Sequence, residues 1–514
     1  MTSDAPADAA TEKPPNIIFI TADQWRHDAF GFAGNPVVQT PHADALAARG
    51  IRFRNAHCDS PVCQSSRASL VTGQPVHRHG LWDNSITRWS GRKHFPQPYA
   101  FETFPRRLQQ AGYYTACIGK LHFTPLPGPR SPDWPDMDTR TRQLVFQAIK
   151  DFDRTQHVRG RMAWLAEYGF DHVIEEVDKQ QMLKGVQTGY TDYLDQRGFL
   201  EQWLGRTFSS GQQALVEPEI LDANDTLDAF IGRRAQDFIS SYAADRPFFL
   251  WLNPVGPHPP FDPPAEDARR YDPGAMTLSG DESLPIPANR YGEFVGSTTG
   301  RVIRDWDDEH KRLLVARYYA KCTEVDRSIG KLISALETQG LLENTWIVLG
   351  SDHGEMLGDH GLMGKSTFYR SAVKVPALVV PPRGQARTAG EDEYGPVRNL
   401  DLTATILELA GANLRGHAGT SLLPRVLGEK AGYEATFSEI AGFCMVTTSQ
   451  WKLVVDGRTG EPQQLFDLET DPEERNDLCG RPGTITTVKQ LIKQHLEPFY
   501  NGAMNQITFP DPDK

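Results

Sequence analysis

No apolar run in the 514 residues approaches the roughly 20 that a helix needs to cross a bilayer, so a membrane span is excluded and no membrane partner is expected. Cysteine is scarce. The six present (Cys58, Cys63, Cys117, Cys322, Cys444 and Cys479) show no CxxC spacing, which argues against a structural zinc site or a dithiol redox pair and leaves mostly buried free thiols. Positive charge is in deficit: 54 Lys and Arg face 66 Asp and Glu, for a net charge of −12. A duplex-coating protein draws its affinity from cations that neutralise phosphates, so a nucleic-acid partner is not expected, although a few clustered cations still make a local anion site. The segment from Met1 to Pro15 has neither a basic stretch nor an apolar signal core. It reads as a disordered leader over residues 1–13, with a cytoplasmic location as the default. Repeats and low-complexity tracts are also missing. The 39% apolar content suits a globular chain, and the length suits either about three domains or one large α/β domain with an appendage.

What the chain does have is a set of short apolar runs, each ending in polar residues. Asn16 to Ala22 runs into Asp23-Gln24, Tyr113 to Gly119 into Lys120-Leu121-His122, Phe248 to Asn253 towards Pro257-His258, and Trp346 to Ser351 into Asp352-His353-Gly354. Continuous apolar runs without alternation suit strands buried on both faces, as in a parallel sheet covered by helices. Helical patterns lie between them. Thr40-Pro41 predicts a helix start that Gly50 closes; Leu314, Tyr318, Cys322, Val325, Ile329, Leu332 and Leu336 recur at three and four residues up to Gly340; and Leu402 to Ala410 forms another, with Asp401 as its cap. Strands alternating with helices imply an α/β sandwich. In open parallel sheets ligand groups gather at the carboxyl ends of strands, and all four polar clusters sit there.

The expected organisation is a catalytic domain over residues 14–429 and a smaller C-terminal α+β subdomain over 430–514. Residues 123–245, rich in Pro, Arg, Asp and aromatics with weak periodicity, read as a long insertion able to lid the site. Short strands at Cys444 to Thr448, Lys452 to Val455 and Gln464 to Asp467, with a turn at Asp456-Gly457, mark the C-terminal unit.

The densest segment runs from Ser60 to Gly73. A helix starting near Ser66 would aim its free N–H groups at Cys63, a setting that binds tetrahedral oxyanions and lowers a thiol pKa, and Arg67 returns to the same spot. A Cys-dependent phosphatase loop needs five residues between Cys and Arg, and this chain has three. Gly361 to Ser366 looks like a P-loop, but Asp359 stands where that motif needs Gly.

Taken together, these segments resemble the sulfatase family of the alkaline-phosphatase-like superfamily. Its signature C-x-P-S-R-A-S-L-x-T-G is matched by Cys63 to Gly73 except at Ser65, where the family has Pro and sometimes Ala. Asn16 to Gln24, Thr40 to Gly50, Gly119 to His122, Pro257-His258-Pro259, Ser351 to Lys365, Asn399 to Gly411 and Leu465 to Leu478 extend the resemblance in family order. It implies an alkaline-phosphatase-like sandwich with a large, mostly parallel sheet between helices. It further implies that Cys63 is oxidised to formylglycine, whose hydrate attacks sulfur and later expels sulfate by collapsing to the aldehyde. The implied metal ligands are Asp23, Gln24, Cys63, Asp352 and His353. They would hold one divalent cation, Ca²⁺ first for an oxygen-rich set and Mn²⁺ as the alternative that a histidine admits.

Cys63, Arg67, Lys120, His122, His258 and Lys365 form the implied catalytic set. Arg67 and Lys120 orient the formylglycine and Lys365 binds a sulfate oxygen; His122 serves the collapse step and His258 protonates the leaving alcohol. Asn84, Lys120, His258 and Lys365 are the substrate-binding candidates, with His77 or His79 at the entrance and Trp164 or Tyr168 as aromatic contacts. The reading is a sulfuric ester hydrolase acting on a small, aryl-type sulfate monoester. A phosphonate monoester or phosphodiester hydrolase on the same scaffold is the alternative, and a silent anion-binding protein with unmodified Cys63 a third. A small anionic ester and, transiently, a formylglycine-generating enzyme are the expected partners, with pairing into a homo-oligomer left open.

Overall fold

The computed structural model describes residues 13–84, 102–122, 165–183, 186–205, 216–280, 284–298, 302–383, 390–429 and 432–501. Fifteen strands are found among them: β1 (Asn16–Ala22), β2 (Ile51–Phe53), β3 (Ala56–His57), β4 (Tyr114–Lys120), β5 (His172–Glu176), β6 (Phe248–Asn253), β7 (Thr345–Ser351), β8 (Lys374–Val375), β9 (Ala377–Val380), β10 (Glu391–Glu393), β11 (Val397–Arg398), β12 (Thr436–Ile440), β13 (Phe443–Thr447), β14 (Trp451–Asp456) and β15 (Pro462–Asp467). Eight of them form one sheet in the order β10-β2-β9-β7-β1-β6-β4-β5. Its centre, from β7 to β5, is parallel. The sheet as a whole is mixed, because β9 runs antiparallel to both β7 and β2.

The four apolar runs are the adjacent strands β7, β1, β6 and β4, and burial of both faces explains their unbroken character. In β1, Ile18 and Ile20 belong to one apolar core, Ile17 and Phe19 to the other. β6 divides likewise, with Leu250 and Leu252 on one side and Phe249 and Trp251 on the other. Each fully buried aliphatic side chain contributes about 1.5–3 kcal/mol. The first core is closed by the helices Pro41–Ala47, Leu227–Ser241 and Asp308–Thr338, the second by Cys63–Thr72, Phe104–Gln110 and Asn399–Leu409.

The long helix starts at the Asp307 cap, whose carboxylate accepts from His310 N at 2.8 Å, a few residues before the apolar pattern becomes legible. Asp401 is not the N-cap of its helix as expected. It lies in the first turn and accepts from Arg398 N at 2.8 Å, the reciprocal half of a capping box. Within 123–245 the described residues supply edge strand β5 and the helix Leu227–Ser241. Of the expected lid over 123–245, residues 123–164, with Trp164 among them, 184–185 and 206–215 lie outside the described residues; the leader, apart from Lys13, falls on residues 1–12, also outside them.

The C-terminal strands form an antiparallel sheet, β12-β13-β14-β15, with the helix Ile485–Leu491 on one face. Val446, Leu453 and Leu465 pack there with Val488 and Leu491, while Met445, Val454 and Phe466 face the second core. The architecture is an α/β sandwich with a smaller β-rich C-terminal subdomain. Among the described residues no helix is long and apolar enough to cross a membrane.

Candidate active site

Because β7, β1, β6 and β4 are parallel neighbours, their carboxyl ends deliver Asp352-His353, Asp23-Gln24, the loop to His258, and Lys120-Leu121-His122 to one place. The Cys63–Thr72 helix points its N-terminus at the same place. It begins at Cys63 itself rather than near Ser66, and Asn84 Oδ1 accepts from Gln64 N at 3.1 Å in its first turn. Strands β4 and β6 approach so closely that a Cβ on Gly119, whose φ is +106°, would lie 1.9 Å from Asn253 O. Only glycine fits just before Lys120. Gln24 (φ 68°), His122 (70°) and Ser366 (69°) also have left-handed backbones. Each such residue stores on the order of 1–3 kcal/mol of strain, a cost tolerated where function dictates the conformation.

One ligand atom from each of Asp23, Cys63, Asp352 and His353 lies within 4.8 Å of the others, and all four residues are buried. Cys63 Sγ is 3.6 Å from Asp23 Oδ1 and 3.2 Å from His353 Nε2. His353 Nδ1 lies 2.9 Å from Gly354 O. A carbonyl only accepts, so Nδ1 carries the hydrogen and Nε2 turns its lone pair to the centre, the arrangement of a metal-ligating histidine. Lys365 Nζ donates to Cys63 Sγ at 2.7 Å and to Gln24 Oε1 at 2.8 Å. Carboxylate, amide and imidazole donors converging in one buried cluster suit a hard divalent cation. Buried polar atoms without hydrogen bonds among the described residues, Arg67 Nη2, Ser65 Oγ and both ring nitrogens of His122, match a site built to receive a further group.

The cations are distributed unequally. Arg67 is fully buried and committed to protein: Nε donates to Asp352 Oδ2 at 2.9 Å, Nη1 to Lys120 O at 2.6 Å and to Asn253 Oδ1 at 2.9 Å, with Nη2 3.5 Å from Asp23. Its geometry fixes the carboxylates. Lys120 Nζ lies 2.7 Å from Asp23 Oδ2 and 3.5 Å from Asp178. Burial opposes ionisation of Asp23, but Lys120, His258, Lys365 and Arg67 hold its carboxyl well below the usual range. Burial and then Asp23 push the Cys63 thiol up to about 11, overriding the helix end that by itself would lower it. Burial, Lys365 and Lys120 depress His258; burial and Lys120 depress His122; burial brings His353 down to about 4.

His258 is half-buried, and its Nδ1 donates to Pro259 O at 2.8 Å, leaving Nε2 for chemistry. Three of the weaker candidates have partners within the protein. His77 pairs with Glu439 at 3.1 Å, His79 Nε2 is 2.9 Å from Ser69 Oγ, and Tyr168 is buried in the second core, where its carbonyl accepts from Thr103. Asn253, Asp178 and Glu355 are participants that sequence reasoning missed. Asn253 ends a recognised strand at the carboxyl edge, a signal that was available. Asp178 follows β5, in a segment without readable periodicity.

Residues 15–412 match the family described as Sulfatase, and residues 358–500 the one described as N-sulphoglucosamine sulphohydrolase, C-terminal. An arylsulfatase of Clostridium perfringens is 28% identical over 486 residues, covering 90% of each chain. A choline-sulfatase of Rhizobium meliloti is 27% identical over 512 residues, 94% of this chain and 87% of that one. The solved phosphonate monoester hydrolase of Agrobacterium radiobacter shares the fold, with a TM-score of 0.72 at 22% identity over 95% of this chain and 96% of that one.

Proposed function

This chain belongs to the sulfatase family, and from that premise we propose that it cleaves the S–O bond of a small sulfate monoester, aryl sulfates first, with Cys63 converted to formylglycine and Ca²⁺ held by Asp23, Gln24, Asp352, His353 and residue 63. Sulfatase-type hydrolysis at a divalent-metal site is common ground with its relatives; the ester class, the modification, the ion and the individual roles are the proposal. The observation that carries it is the convergence of the four strand ends on Cys63 at the head of a buried helix.

The cation, when bound, lowers the pKa of the nucleophilic oxygen and takes charge from the sulfuryl oxygens. A formylglycine at position 63 supplies, as its hydrate, the attacking hydroxyl. A thiol held protonated by burial and Asp23 is a poor nucleophile, which supports the need for that conversion. Lys365 Nζ, poised 2.7 Å from the side-chain atom of residue 63, holds a sulfate oxygen. Arg67 holds Asp352 and Lys120 holds Asp23, so these carboxylates meet the cation preorganised. His258 Nε2 gives a proton to the leaving alcohol, and His122, whose ring nitrogens have no hydrogen-bond partner among the described residues, takes the proton of the second hydroxyl of residue 63. The partners this requires are the anionic ester and, transiently, a formylglycine-generating enzyme.

The mass of the tryptic peptide containing Cys63 tests the reading first: active enzyme should show loss of sulfur and gain of oxygen, and an unmodified mass in fully active protein would overturn it. The kcat/KM ratio on matched aryl sulfate and aryl phosphonate esters tests the substrate class. A preference for phosphonate would favour the phosphonate monoester hydrolase reading instead.

A further inference from the structure

We infer that Glu355 is a positioning residue that decides which end of the Gln24 amide faces the cation site, and that it ties this choice to the loop carrying Lys365. The inference rests on the reading of the cluster as a divalent-cation site and adds a residue that lies outside the ligand set. Gln24 stands between two partners of opposite character. Its Oε1 accepts from the Lys365 ammonium at 2.8 Å, and its Nε2 donates to Glu355 Oε2. An ammonium only donates and a carboxylate only accepts, so the amide has a single allowed sense. That sense puts oxygen, the atom a hard cation binds, on the side of Cys63.

Glu355 is itself held. Its Oε1 accepts from Leu357 N at 2.9 Å and from Gly364 N at 2.5 Å, and the residue is completely buried. Gly364 precedes Lys365, so one carboxylate joins the end of β1, the turn after β7 and the lysine loop. Arg26 braces the same turn, with Nη1 donating to Glu355 O at 3.0 Å and to Met356 O at 2.9 Å. Rotating the amide by half a turn would aim two N–H donors at the cation and at the Lys365 ammonium.

The division of labour between the two carboxylate oxygens gives a near-isosteric test. In Glu355→Gln the side-chain Oε1 retains both backbone bonds, but the new NH₂ group faces the Gln24 NH₂ group. Gln24 must flip, turning its nitrogen towards the cation site. In the double variant Gln24→Glu/Glu355→Gln, one oxygen of the carboxylate introduced at position 24 accepts from the new amide and the other is returned to the cation. Calorimetric Ca²⁺ titration of chelator-stripped full-length protein reads the outcome. The expected result is Ca²⁺ affinity weakened roughly 10–100-fold in Glu355→Gln, as for loss of other groups that orient metal ligands, and restored at least to the parent value in the double variant. Parental affinity in Glu355→Gln, or a double variant that binds no more tightly than the single one, would overturn the inference. If the single variant fails to fold, the double variant decides alone, since binding weaker than the parent's counts against it. A parent protein that binds neither Ca²⁺ nor Mn²⁺ defeats the metal reading itself, an outcome separate from these.

Discussion

His258 and Arg67 show how differently two residues of one motif set act once their partners are known. With Nδ1 donating to Pro259 O, His258 presents Nε2, and its proposed task is needed most when the leaving alcohol is a poor one. His258→Ala should therefore lower kcat/KM by about 10²–10⁴ for esters of weakly acidic alcohols and far less for activated aryl esters. A Brønsted plot against leaving-group pKa measures this, and equal losses across the series would remove the acid role. Arg67 is bonded to Asp352, Asn253 and the Lys120 carbonyl inside the protein. Its removal leaves two buried carboxylates with less compensation, so Arg67→Ala should destabilise the metal-free protein by roughly 3–5 kcal/mol, read by urea unfolding. An effect on activity with unchanged stability would contradict this assignment. The types of both residues were legible from the motifs. That Arg67 is spent on protein groups was not, because Lys120, Asn253 and Asp352, to which it donates, lie on other elements far along the chain.

At the scale of elements, the Cys63–Thr72 helix is fixed at both ends. Its last turn closes on Gly73, whose left-handed backbone (φ +65°) lies against the His417 ring, and Ala418 N donates to Gly73 O at 2.8 Å. His417 Nδ1 accepts from Gly419 N at 3.0 Å, which requires a neutral ring, and burial, then Arg107, bring its pKa down to about 4. A histidine depressed in the fold binds fewer protons there than in the unfolded chain, where its pKa is near 6.5. Its stabilising contribution is complete above pH 6.5 and is lost as pH falls towards 4. His417→Asn should flatten the acid side of the stability profile between pH 6.5 and 4 by roughly 2 kcal/mol, with allowance for the ring's partial exposure, in denaturant titrations at stepped pH. A slope unchanged from the parent would refute it. Strand positions were readable because doubly buried strands advertise themselves as unbroken apolar runs. Helix starts were less so: the Cys63–Thr72 helix carries no side-chain cap, so its true first residue left no mark in the sequence.

On the scale of the whole molecule, the C-terminal sheet reaches the catalytic loops through buried charge. Lys452 on β14 forms an ion pair with Glu474 and donates to Phe368 O at 3.0 Å, while Glu474 Oε2 accepts from Arg370 N at 2.9 Å. These bonds hold the segment that follows Lys365. Lys452→Met should accordingly raise KM for the ester more than it lowers the melting temperature of the metal-free protein, as measured by steady-state kinetics and calorimetry; a purely thermal effect would show the sheet to be only scaffolding. Cation binding should stabilise the whole fold by mass action, by about 2.7 kcal/mol at a hundred times Kd. Chelation should then lower Tm and added Ca²⁺ restore it, whereas a Tm indifferent to both would count against the site.

The positions of β1, β4, β6 and β7 along the chain, the polar residues at their ends and the Cys63 to Gly73 signature were determined by sequence, since apolar continuity and residue spacing are local properties that need no partner. The tertiary structure alone decided that Arg67 donates to Asp352, that Asn84 accepts from the head of the Cys63–Thr72 helix, that His77 and His79 meet Glu439 and Ser69, and that Glu355 meets Gln24. Each of these depends on which atoms meet across the fold. A hydrogen bond takes its meaning from the partner at its other end, and here that partner usually lies on another element.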